Sequence, residues 1–195
     1  MVTKKTTQDL VGERPTPETL SSMERTPISI IMDNVRSLDN VGLLFRLCET
    51  ARLKKLYLTG YTGHPRIDND ERPKALIARH EHRIAKTAVY ALPYQPWEYI
   101  EDPLPLTQQL KSEGNAIVSL EQTSGSVPYH HLDAKQYTLP LVIIVGHERQ
   151  GVRQELLDLS DHVVEIPILG LGNSHNVALS TSIVLYHLLE KKGLL

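Results

Sequence analysis

A chain of 195 residues with 41% hydrophobic and 23% charged side chains has the make-up of one globular domain, neither disordered nor membranous. Its 21 basic and 23 acidic side chains leave a net charge of −2, which excludes a generally basic surface and confines any RNA site to a local patch. No apolar run reaches the roughly 18–20 residues that span a bilayer, no signal-peptide pattern opens the chain, and Cys48 has no intrachain partner, so a cytoplasmic address without a membrane is expected.

Residues 1–26, rich in Thr, Pro, Glu and Lys and without hydrophobic period, are expected to form a flexible arm, leaving 27–195 as the folded domain. Pro27–Met32 reads as the first strand and ends in the polar loop Asp33–Gly42. There Asp39 or Asn40 can cap a helix whose apolar face is Leu43, Leu44, Leu47 and Ala51. Strands are expected over Lys54–Leu58, Thr87–Leu92 and Asn115–Leu120, with helices over Pro73–Arg83 and Pro96–Ser112. Gln122–His131 reads as a loop, and two further apolar runs, Leu141–Val145 and Val163–Ile168, complete the strands before a helix over Val177–Leu189. Strands alternating with helices predict an α/β domain with a mostly parallel sheet flanked by helices. Apolar runs without polar alternation suit parallel strands buried on both faces, and ligands of such sheets sit beyond the carboxyl ends of the strands.

Three polar constellations fall at those ends or on the helices that follow them. In Asn40-x5-Arg46 the asparagine lies at a helix mouth and the arginine about 1.7 turns inside, although an arginine there can also simply snorkel to solvent. Gly146-His147-Glu148-x-x-Gly151 ends a strand in a glycine that permits close approach to the backbone. It then presents a carboxylate able to orient a substrate; a turn followed by a capping acid has the same spelling. Gly170-Leu171-Gly172-Asn173-Ser174-His175-Asn176 precedes the last helix, where Asn173 or Ser174 is a candidate N-cap beside free backbone N–H groups. Its glycines are no dinucleotide fingerprint, which belongs after the first strand with an acid about 20 residues on. The pairs His80/His82 and His130/His131 lack zinc-site spacing and cysteine companions, so no metal is expected. A Ser-His-Asp hydrolase lacks its GxSxG elbow.

In series, Asn40-x-Gly42-x3-Arg46, IVGHERQGV at Ile144–Val152 and IPILGLGNSHNVALSTSIVLYH at Ile166–His187 resemble the SpoU (TrmH-like) branch of the SPOUT RNA methyltransferases over residues 28–190. The resemblance implies a parallel α/β domain with a C-terminal deep trefoil knot, S-adenosyl-L-methionine as cofactor, and methylation of a ribose 2′-hydroxyl in tRNA or rRNA. It also implies a homodimer with sites near the subunit interface. Arg46 then matches the family's catalytic arginine and Asn40 its partner, Glu148 the carboxylate of the second motif, and Ser174 and Asn176 the third motif. Cofactor contacts fall at Leu120, Gly146, Ile166 and His175. His175 stands where the family usually has leucine, an exchange that keeps a backbone contact but changes the packing around it. The expected activity is thus an S-adenosylmethionine-dependent RNA ribose 2′-O-methyltransferase, with tRNA favoured slightly over rRNA for so compact a chain. A catalytically silent RNA-binding module of the same fold, or a nucleotide-binding regulatory protein, are the alternatives. Arg36, Arg52, Lys54, Lys55, Arg79, Arg83 and Arg149 are the basic residues available to hold RNA phosphates.

Overall fold

The computed structural model describes residues 2–195; Met1, the first residue of the expected arm, lies outside the described residues. Seven strands form one sheet: β1 (Thr26–Asp33), β2 (Leu53–Thr59), β3 (Trp97–Ile100), β4 (Ala116–Leu120), β5 (Val127–Pro128), β6 (Leu141–Val145) and β7 (His162–Glu165). Every pairing is parallel and the order is β3-β2-β1-β6-β4-β7-β5, so the uninterrupted apolar run Leu141–Val145 occupies the centre.

Successive strand residues point to opposite faces, and each face has its own helices. Helices α3 (Leu38–Thr50), α4 (Lys74–Ala88) and α7 (Val177–Lys191) cover one side, where Leu44, Phe45, Ile84, Val184 and Leu188 share a core with Ile28, Ile30, Met32, Val118 and Ile143. Helices α5 (Pro103–Ser112) and α6 (Gln154–Leu159) cover the other, where Leu110 and Leu156 meet Ile31, Ile117, Val142 and Ile144. Helices α3 and α4 approach closely through Gly42: a Cβ there would lie 2.0 Å from Thr87 Oγ1 and 2.3 Å from the Ile84 carbonyl. Two short helices, α1 (Thr7–Gly12) and α2 (Pro17–Ser22), capped by Thr6 and Thr16, precede β1 and bury none of their residues. Among the described residues no helix is long and apolar enough to cross a membrane.

Four expected elements differ. The loop expected over Gln122–His131 carries the edge strand β5 and a single 3₁₀ turn, Tyr129–His131. Thr87–Leu92 is not a strand: α4 runs on to Ala88 because Ile77, Ile84 and Ala88 keep one buried stripe, and Val89, at φ 58°, turns the chain away. The third strand is Trp97–Ile100, a half-buried edge beside β2, and the helix expected from Pro96 starts only at Pro103, capped by Asp102. The strand expected over Val163–Ile168 ends at Glu165, ahead of Pro167, which has no N–H for a ladder.

Candidate active site

The registers Leu120↔Val145 and Leu120↔Val164 bring three strands to an end at one level. Glu121, Gly146 and Glu165 therefore mark the top of the sheet together. A cleft of about 670 Å³ opens there, a size in the range of cofactor sites. Its walls hold all four expected cofactor contacts, Leu120, Gly146, Ile166 and His175, together with Asn40, Glu148, Ser174 and Asn176. Arg46 is the one expected site residue outside it. It is exposed on α3 and does not line the cleft of its own chain.

A chain of hydrogen bonds ties the three constellations together. Helix α3 is capped by Ser37, whose Oγ accepts from the Asn40 N–H at 3.3 Å, not by Asp39 or Asn40 as expected. The Asn40 amide is thereby free for long-range partners. Its Nδ2 donates to Glu148 Oε1 at 3.1 Å, and its Oδ1 accepts from Asn176 Nδ2 at 2.9 Å. Asn176 Oδ1 in turn accepts from the Ala178 and Leu179 N–H groups at 2.9 and 3.3 Å, so Asn176 caps α7, not Asn173 or Ser174. Glu148 also accepts from the backbone N–H groups of Arg36 at 3.0 Å and Ser37 at 2.9 Å. Partial burial pushes its carboxyl up, but the donors from Arg36, Ser37 and Asn40 outweigh this and hold it below the usual carboxylate value. At neutral pH Glu148 is an acceptor only, already taking three hydrogen bonds. Its work is to fix the β1–α3 loop against the β6–α6 loop.

His147 closes the second of these loops. Its Nδ1 accepts from the Arg149 and Gln150 N–H groups at 2.9 and 3.1 Å, and its backbone bridges Gly151. Gly146 is confined by the same turn: a Cβ there would lie 2.2 Å from the Gly151 carbonyl carbon and 2.3 Å from the Val152 nitrogen. The close approach foreseen for a ligand is thus made by the chain's own backbone. Gly146→Val is accordingly expected to destabilise the fold by about 1–3 kcal/mol through overpacking, lowering the melting temperature by roughly 3–10 °C. Differential scanning calorimetry reads this, and an unshifted melt would show that the turn has room after all.

Glu121 went unremarked in the sequence. It stands just past β4, and its Oε2 accepts from the Val152 N–H at 2.8 Å, pinning the β6–α6 loop from the side opposite Glu148. Gln122 Nε2 donates to the Asn173 carbonyl at 3.1 Å, holding the loop 166–176 over the cleft, and Glu165 accepts from Ser126 Oγ at 2.7 Å. An acid directly at the carboxyl end of each of two neighbouring apolar runs was the available signal.

The parallel sheet has helices on both faces and a cleft at the strand carboxyl ends whose loops a Glu–Asn–Asn chain ties together, an arrangement shared with the SpoU-type fold. The chain belongs to the SpoU rRNA methylase family, whose model matches residues 27–186. It is 28% identical over 171 residues to the tRNA (guanosine(18)-2′-O)-methyltransferase of Aquifex aeolicus, covering 85% of this chain and 71% of that protein. To the Escherichia coli K12 protein of the same description it is 34% identical over 77 residues, 40% of this chain and 32% of the relative. The crystal structure of the A. aeolicus TrmH/SpoU tRNA modifying enzyme superposes with a TM-score of 0.69 at 25% identity, covering 87% of this chain and 79% of that one. An AdoMet-bound rRNA methyltransferase from Sinorhizobium meliloti has the same fold, with a TM-score of 0.68 at 22% identity, and this chain covers 59% of its length.

Proposed function

We propose that the protein transfers a methyl group from S-adenosyl-L-methionine to a ribose 2′-hydroxyl of RNA, with tRNA the first substrate to test and rRNA the second. The observation that carries the reading is the Glu148–Asn40–Asn176 chain, which joins the three family motifs at one cleft. The cleft's make-up agrees: Glu121, Glu148 and Glu165 line it against the single guanidinium of Arg149, a balance that suits a cationic ligand. Bound there, the cofactor supplies a methyl carbon on a sulfonium, so that transfer leaves a neutral thioether. The chain's own task is to hold the attacking oxygen in line as its proton leaves. Ser174 and the backbone around His175 form the wall beside that oxygen, and Arg46 is the group assigned to orient it, its charged guanidinium favouring the developing alkoxide while the proton passes to an RNA phosphate or water.

Arg46 lies outside its own cleft, and this supports a homodimer in which α3 of one copy completes the site of the other. Leu43 on α3, with Leu179, Ile183 and Tyr186 on α7, are exposed apolar side chains on two helices that pack together. The trefoil threading of the C-terminal third and a cytoplasmic address beside the RNA belong to the same reading.

Calorimetry with S-adenosylmethionine, and ribose-methylated nucleoside analysis of tRNA and rRNA after incubation, test the activity. Binding of nicotinamide or adenine nucleotides in place of S-adenosylmethionine, with no ribose methylation, would overturn it. Light scattering is expected to give twice the 22.0 kDa chain mass. A 22.0 kDa species at micromolar concentration would overturn the dimer.

A further inference from the structure

A second cavity, of about 360 Å³, lies on the other side of the Arg36–Ser37 turn from the cleft. Arg36 from the β1–α3 loop, Tyr61 from the β2–α4 loop, and Arg79, His80 and Arg83 from α4 line it. In a chain of net charge −2 this is a marked concentration of positive charge. The acids nearby neutralise only part of it. Asp39 holds Arg83 at 2.6 Å, Asp70 holds Arg72 behind His80 at 2.6 Å, and Glu81 faces Arg66 at 3.7 Å. Arg36 and Arg79 have no ion-pair partner among the described residues. His80 Nδ1 sits 3.2 Å from Arg72 Nη1, so the ring is held against the Arg72–Asp70 pair.

This cavity and the cleft share walls. The Arg36 and Ser37 N–H groups that edge it donate to Glu148 of the cleft. The Tyr61 ring, 59% exposed, stands edge-on to His147 of the cleft with centroids 6.0 Å apart. Whatever lies in the cleft therefore has, within a short reach, two uncompensated guanidinium forks and an open aromatic face. Planar guanidinium forks match phosphate oxygens, and exposed aromatic rings stack on bases of any sequence.

We propose that this pocket takes a phosphodiester of the substrate RNA, next to the nucleotide whose ribose enters the cleft, with Tyr61 stacking on an adjoining base. The inference rests on the methyltransferase reading above and deepens it by giving the RNA a path across the surface.

The test compares RNA affinity at several salt concentrations for the wild type, the double variant Arg36→Gln/Arg79→Gln, Tyr61→Leu, and Lys135→Gln, an exposed charge in the loop before β6. The Arg36 substitution keeps the backbone N–H that Glu148 needs. The double variant is expected to bind RNA at least about tenfold more weakly. Its slope of log affinity against log salt should be shallower by about 0.7–0.9 per lost phosphate contact. Tyr61→Leu should weaken binding about tenfold with an unchanged slope, and Lys135→Gln should do neither. S-adenosylmethionine affinity should match the wild type in the double variant. A wild type that binds and methylates RNA, with a double variant equal to it in affinity and slope, overturns the pocket alone. Parallel loss of cofactor affinity would assign the arginines to the cleft loop and also overturn it. A wild type that takes no RNA overturns the methyltransferase reading and this inference together.

Discussion

Arg46→Ala is expected to slow methyl transfer about 10²–10⁴-fold, the usual cost of removing a group positioned at a proton-transfer step, while leaving S-adenosylmethionine affinity unchanged. The separation follows from place. The Arg46 side chain is exposed on α3 and outside the cleft of its own chain, so its loss removes neither a wall of that chain's cofactor cleft nor a packed group of the core. Arg46→Lys should restore little, because an ammonium lacks the planar fork and carries its charge at a different point. Single-turnover transfer to bulk tRNA and rRNA, with calorimetric cofactor binding on the same preparations, separates the two effects. If the alanine variant transfers at the wild-type rate, Arg46 is an ordinary surface arginine. If the wild type itself binds RNA and cofactor but transfers nothing, the silent-module alternative takes over.

Glu148→Gln should damage the site by another route. The carboxylate accepts from two backbone N–H groups and the Asn40 amide. A glutamine offers one acceptor oxygen and sets its own NH₂ against a remaining donor. An unmet, partly buried donor costs about 1 kcal/mol, and the loop it releases carries the start of α3. A shift of about 1 Å in a catalytic geometry can cost 10²-fold in rate, so transfer should fall about 10²-fold with cofactor affinity falling alongside it. The pH dependence has a definite sign. Because the folded carboxyl lies below its ordinary value, its contribution is whole above that value, about pH 4–5, and is lost as pH falls through the lowered folded value. Wild-type cofactor affinity should hold steady from neutral pH down to that window and then drop, and the glutamine variant should lack the drop. An equal acid-side loss in both proteins would place the titrating group elsewhere.

The parts of this molecule legible in the sequence are those decided by burial. Leu141–Val145 is apolar throughout, and Ala116–Leu120 and Ile28–Met32 are each broken only by one serine, because helices cover both faces of the central sheet. Their carboxyl ends then fix where the cleft must open. The reading failed between residues 87 and 100, where the sheet's margin is only half buried. Thr87–Leu92 has strand-like residues, yet the stripe Ile77–Ile84–Ala88 gains more from staying on α3. Trp97–Ile100 is too short to outweigh the prolines around it. The helix caps were misplaced for a different reason. Asn40 is a good local cap, but its amide is claimed by Glu148 and Asn176, residues more than a hundred positions away. Only the folded chain reveals that competition, and it left the cap to Ser37. Arg46 is a candidate through the family motif alone, since nothing on its own chain draws it toward the cleft.

The position of β6 in the sheet also sets a timetable. It lies between β1 and β4, yet it is made after both. As the chain leaves the ribosome, the β1 edge that β6 will cover is open, and so is the matching edge of β4, each a row of unpaired N–H and C=O groups able to recruit a foreign strand. Closure waits for the 25 residues from Glu121 to Val145, roughly 1–5 s at ordinary rates of synthesis. During that interval the nascent protein is a sheet missing its middle, and its vulnerability to misassembly is greatest then.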